Sequence, residues 1–184
     1  LFLEHIGLNG TNLQRFHSPN YQKIFYDELP RAMEVLYSDQ SPSAQVSASV
    51  TYNMIVEGTL AETGYHAYYK MLDEADIMPG LKKGIGHLKR DESRHIAYGL
   101  YLIGRHLEEN PALMRVVNDR MEKLIEPTIG FINEIFDYYN DEAPFGLKRD
   151  DFINYAMNQF TKRISKLELI ASNQNNEAEM HEPS

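Results

Sequence analysis

The sequence predicts an all-α protein, a bundle of long helices. Three observations carry that reading. Long stretches with helical apolar spacing are separated by short clusters of proline, glycine and asparagine. No stretch reads convincingly as a strand, and there is no internal repeat. One segment of about thirty residues is apolar on nearly every face, which marks a helix buried on all sides.

The first residues, "LFLEHIGL", read as the last turns of a helix closed by Asn9-Gly10. A second helix is expected from about Ser18 to Tyr37, with Pro19 at its start and Pro30 as an interior irregularity. "SDQSPS" breaks the chain. Ser41 then reads as an N-cap with Pro42 at the first helical position. That helix, expected to end near Leu72, carries Val46, Val50, Tyr52, Met54, Ile55, Val56 and Leu60, and is the expected centre of the bundle.

"DIMPG" ends it. A fourth helix is expected from about Leu81 to Glu108, stopped by Asn110-Pro111. A fifth runs from Pro111 to about Tyr139 and is expected to kink at Pro127. After the loop "NDEAPFG", a sixth runs from about Arg149 to Leu169. Residues 1–170 therefore read as one helical domain, and 171–184, polar, acidic and free of aromatic residues, as a disordered tail.

Composition narrows the function classes. A net charge of -9 argues against nucleic acid or an anionic membrane as a partner. No apolar run approaches the roughly 18 residues that span a bilayer. The chain has no cysteine, which excludes disulfides and thiolate metal sites and fits a reducing cytoplasm. "LFLEHIGL" lacks the basic flank and cleavage pattern of a signal peptide.

"RDESRH", residues 90–95, puts unusual charge between apolar helical stretches. Glu92 and His95 stand three residues apart, on one helix face, where a carboxylate and an imidazole can share an ion. With 17 glutamates and 7 histidines in 184 residues, chance supplies about 0.6 such pairs, so the spacing alone is weak. Glu57 strengthens it. It lies among Met54, Ile55, Val56 and Leu60, where an unpaired carboxylate costs several kcal/mol and must be neutral, ion-paired or metal-bound. Gly58 follows directly, and a glycine inside a long helix usually has a reason, such as a local widening beside a ligand.

A lone glutamate on one helix and Glu-x-x-His on the next is half of a dimetal carboxylate site inside a helix bundle. A second Glu-x-x-His is not in the chain. The competing reading is an internal ion-pair network in which Arg94 or Lys89 neutralises Glu57 and Glu92. Glu62 reads as a partly exposed glutamate rather than a proton carrier, and Tyr65, Tyr68 and Tyr69 as packing residues. Asp91 and Arg94 are either orienting groups for the cluster or a surface salt bridge.

"TYNMIVEGTLAETGY" together with "RDESRHIAYGLYLI" closely resembles the ligand-binding oxidases related to the ribonucleotide reductase small subunit. The similarity runs from Leu1 to about Leu169 and includes "YQKIFYDELPRAMEVLY". The resemblance implies a ferritin-like bundle and a manganese/iron or di-iron site. It also implies a homodimer that activates dioxygen, binds a long-chain fatty acid and forms a Tyr-Val ether cross-link in itself. On that footing Glu57, Glu92 and His95 are metal ligands and Tyr52 is the cross-linking tyrosine. Tyr52 and Glu57 are about 140° apart on an ideal helix, and a π-type bulge between them would close that angle.

The family's first glutamate, first Glu-x-x-His and cross-linking valine lie on two helices that would precede Leu1. The chain is therefore expected to be the C-terminal part of a longer protein. Symmetric completion of the site by two copies is the alternative. Two other functions compete with the oxidase. One is a radical-generating small subunit of ribonucleotide reductase, which the absence of tyrosine and phenylalanine after Phe160 disfavours. The other is a non-catalytic fatty-acid-binding helical protein.

Overall fold

The computed structural model of the chain describes residue 4, residue 7 and residues 10–140 and 143–180, with side chains to residue 173. Five long helices form the bundle, and no strand occurs among the described residues. The helix end expected over Leu1–Leu8 falls largely outside the described residues. Gly10, which was to close it, has φ 74°, a left-handed value suited to glycine.

Helix α1 (19–35) starts at Pro19 and contains a π-helical turn, Lys23–Glu28. The turn lies directly before Pro30, which has no N–H to offer a regular ladder. Ser18 does not cap this helix. The Glu134 carboxylate of another helix does so instead, accepting from the Asn20 backbone N–H at 3.2 Å and from Asn20 Nδ2 at 2.8 Å.

Helix α2 (42–75) begins as expected, with Ser41 Oγ accepting from the Ala44 N–H and Pro42 in the first turn. Its middle, Val50–Ala61, is π-helical for twelve residues. It resumes as Glu62–Ala75 and ends at Asp76, whose φ is 48°. Helix α3 spans Pro79–Glu109. The Asn110 side chain then caps the 3-10 turn Pro111–Leu113. Helix α4, Met114–Asp137, keeps the buried Pro127 inside it.

Helix α5, Arg149–Met180, runs eleven residues beyond the expected end at Leu169. Ile170 and the buried Ala171 continue the apolar stripe against the main core, so the helix carries its packing past that point. Of the segment expected to be disordered, 171–180 is helical and 181–184 lies outside the described residues.

The all-round apolar segment is central, as its pattern predicts: α2 packs against each of the other four helices. Val46, Val50, Met54 and Ile55 of α2 are fully buried and meet Ile103 and Leu107 of α3, Val117 and Leu124 of α4 and Leu167 of α5. A smaller cluster joins Ile132 and Phe136 of α4 to Phe152 and Ala156 of α5. None of the described helices is long and apolar enough to cross a membrane.

Candidate metal centre

Glu57 projects from the π-helical part of α2, and Glu92 and His95 from the middle of α3. One ligand-capable atom from each lies within 4.8 Å of the other two. His95 Nδ1 stands 3.0 Å from Glu57 Oε1 and 3.6 Å from Glu92 Oε2. The glutamates are the inner members, with Glu57 3% exposed. The His95 side chain is 56% exposed and closes the cluster from outside.

Asn53 organises this pair of helices. Its Nδ2 donates to Glu57 Oε2 at 2.9 Å and to the His95 carbonyl oxygen at 3.3 Å. Its Oδ1 accepts from Ser49 Oγ at 2.9 Å. The crossing is tight because α3 carries Gly99 there: a Cβ on Gly99 would lie 2.3 Å from Asn53 Cβ. Gly58 has a similar reason. A Cβ there would meet Arg163 Nε at 2.5 Å and the Asn53 carbonyl oxygen at 2.8 Å. The widening expected beside Gly58 coincides with the π segment, and the buried Arg163 guanidinium fills the space the glycine leaves.

Electrostatics follow from two carboxylates sharing little water. Burial pushes the Glu92 carboxyl up, and the adjacent Glu57 carboxylate pushes it further. The hydrogen bond to Glu57 raises the His95 imidazole, which favours its charged form. Tyr52 lies one i-to-i+5 repeat before Glu57 on the π segment. Its hydrogen bond with the Glu57 carboxylate, aided by burial, pushes the phenol up to about 12. Tyr65 donates to Glu92 Oε1 at 3.4 Å.

Neither Arg94 nor Lys89 neutralises these carboxylates; the charged partner they have is His95. Arg94 pairs with Asp91 at 3.3 Å on the exposed side of α3, and Lys89 lies over the Tyr69 ring. That leaves Asp91 and Arg94 as a surface salt bridge. Glu62 is partly exposed, as expected, and is also ion-paired. Its side chain is 17% exposed and accepts from Arg163 Nη2 at 2.9 Å.

The donor set suits a hard or borderline cation: two carboxylates and one imidazole, with no thiolate. One observation supports the fit directly. Glu92 Oε2 is buried without a hydrogen-bond partner, because 3.6 Å to His95 is too long for one. A buried acceptor left open beside two other donor atoms is stabilised by a cation. Asn53 and Tyr65 have no distinctive signature in the sequence. Only the four-residue spacing of Asn53 and Glu57 hints at the first. Beside the cluster, Tyr52, Asn53 and Ser49 share a cavity of about 410 Å³ with Met33, Leu36 and Leu102.

The family described as "Ribonucleotide reductase, small chain" matches residues 22–175. Among solved structures, the chain is similar to an R2-like ligand-binding oxidase with an aerobically reconstituted Mn/Fe cofactor. The two are 34% identical, with a TM-score of 0.85 over 90% of this chain and 60% of that one. A variant of that oxidase with an anaerobically reconstituted Mn/Fe cofactor is 35% identical, with a TM-score of 0.84 over 90% of this chain and 58% of that one. The chain thus spans about three fifths of the length of the solved structures it matches.

Proposed function

The chain belongs to the ribonucleotide reductase small-chain family and shares its ferritin-like helical fold, and from that premise we propose that it carries half the ligands of a dimetal carboxylate oxidase. The observation that carries the reading is the convergence of Glu57, Glu92 and His95 around the partnerless buried Glu92 Oε2. Glu57 and Glu92 are the carboxylate ligands and His95 the imidazole ligand. A manganese/iron or di-iron pair held there would supply the reduction of dioxygen and the oxidation of an unactivated C–H bond.

The chain's own residues do the positioning. Asn53 holds Glu57 from behind and leaves Oε1 toward His95. Tyr65 holds the other oxygen of Glu92. Tyr52 keeps its phenolic proton beside Glu57, which is placed to receive it when the phenol is oxidised. The product assigned to Tyr52 is an ether cross-link to a valine, formed with loss of the phenolic hydrogen and one C–H hydrogen. The ligand assigned to the cavity beside Tyr52 is a long-chain fatty acid. Met33, Leu36 and Leu102 offer it apolar wall, and Ser49 and Asn53 polar contacts. The resemblance extends the proposal to a homodimer working in the cytoplasm.

Elemental analysis of the full-length protein, purified aerobically, with Glu57→Ala beside it, tests the reading. Manganese, iron or both are expected in the wild type and lost in the variant. An intact mass lower by two hydrogens, with a cross-linked peptide containing Tyr52, selects the oxidase. A sharp tyrosyl-radical resonance selects a reductase subunit instead. Lipid bound with no metal selects a non-catalytic binding protein.

A further inference from the structure

Arg120, in the first half of α4, engages two other helices at once. Its Nη1 donates to Glu28 Oε2 at 2.6 Å and its Nη2 to the Glu28 carbonyl oxygen at 3.2 Å. Its Nε donates to Thr51 Oγ1 at 2.7 Å. Glu28 is the last residue of the π turn in α1, and Thr51 is the second residue of the π segment in α2. Both are buried, at 3% and 0% exposure.

Thr51 is at the same time a donor, to the Ser47 carbonyl oxygen at 2.8 Å. A threonine hydroxyl bonded to the carbonyl four residues back bends a helix and weakens its regular ladder. Here that bond stands where the α-helical ladder of α2 gives way to the π-helical one. Lys123 Nζ takes the other Glu28 oxygen at 2.9 Å, so the carboxylate is held from both sides. A guanidinium suits this place because its planar fork offers several fixed donors, whereas an ammonium acts as a point charge.

We propose that Arg120 is a positioning residue whose guanidinium joins the two π segments, so that the register of one constrains the register of the other. The segment it holds in α2 carries Tyr52 and Glu57. Its consequence for metal binding rests on the function proposed above, whereas the coupling itself does not.

Hydrogen exchange by mass spectrometry on the metal-free full-length protein tests the coupling, read in peptides covering 23–28 and 50–61. Thr51→Val and Glu28→Gln each remove one arm. Coupling between sites is reciprocal, so each variant is expected to speed exchange in both segments by at least roughly fivefold. Arg120→Lys, which keeps a charge for Glu28 but loses the bond to Thr51, is expected to do the same. Thr51→Ser, which restores the hydroxyl, is expected to return both segments toward wild-type rates. If each variant loosens only its own segment, the proposal is overturned, and Thr51→Val decides the matter even where Arg120→Lys fails to fold. Mn(II) titration of the same samples separates the two readings. Coupled exchange across the variants, with no Mn(II) bound by the wild type, sinks the metal site and leaves Arg120 standing. Mn(II) binding with uncoupled exchange does the reverse.

Discussion

Asn53 and Glu57, four residues apart on the π-helical stretch of α2, are joined by a 2.9 Å hydrogen bond that leaves the second carboxylate oxygen of Glu57 facing His95. The same amide reaches the His95 backbone, so one side chain fixes the spacing between the two helices that carry the cluster.

Asn53→Ala is expected to weaken metal binding by roughly 10–100-fold, the usual effect of removing a group that orients a ligand. Leaving Glu57 Oε2 buried without its donor is also expected to lower stability by about 1–3 kcal/mol. Metal titration and urea unfolding of the metal-free protein read the two effects separately. Unchanged metal affinity would remove Asn53 from the site.

Two glycines of α3 are expected to respond with opposite signs. Gly84 is exposed and has nothing within 4 Å of a Cβ, so Gly84→Ala is expected to stabilise the helix by about 1 kcal/mol. Gly99→Ala is expected to destabilise by about 1–3 kcal/mol, because its Cβ would fall on Asn53. Thermal unfolding of both variants checks the pair. A stabilising Gly99→Ala would mean that the helices do not approach as described.

Glu28 gives the acid limb of stability its sign. Burial alone would raise this carboxyl, but hydrogen bonds from Lys123 and Arg120 and their charges prevail and hold it below the ordinary 4.5. A depressed folded-state value means that the stabilisation is present above the unfolded value and is lost as pH falls through the folded one. Stability is therefore expected to fall as the solution is acidified below about pH 4.5. Glu28→Gln is expected to flatten that limb in unfolding curves taken across the acid range.

Glu92 acts in the opposite direction. Its carboxyl is raised by burial and by Glu57, so the folded protein holds that proton more tightly than the unfolded chain. The advantage is complete below the unfolded value of 4.5 and disappears as pH rises through the folded one. Metal must displace the same proton, so Mn(II) affinity is expected to climb with pH across that interval. Calorimetric titration in buffers of different ionisation enthalpy would record proton release. Binding without proton release would contradict the shift.

The parts of this arrangement visible in the sequence are those encoded locally. Ser41-Pro42 marks the start of α2, Glu92 and His95 share a face through their spacing, and the apolar neighbours of Glu57 mark it as buried. The parts that were not visible depend on residues far apart in the chain. Arg163 lies 101 positions from its partner Glu62, and Arg120 lies 92 positions from Glu28. Nothing local distinguishes these arginines from surface ones. The extent of α5 is hidden in the sequence for a related reason: the polar stretch past Leu169 reads as a loose end, and only the packing of Ile170 and Ala171 against the core carries the helix on.

The π-helical stretch of α2 also sets how the two ends of that helix are phased. A π-helix spends more residues on each turn than an α-helix, so the two ends of α2 fall out of phase across Val50–Ala61. Deleting one residue inside that stretch would turn the far half by somewhat less than the roughly 100° per residue of an α-helix, carrying Glu62 away from Arg163 and Tyr65 away from Glu92. The length of this segment is thus held to the residue by the pairs that Glu62 and Tyr65 make on its far side.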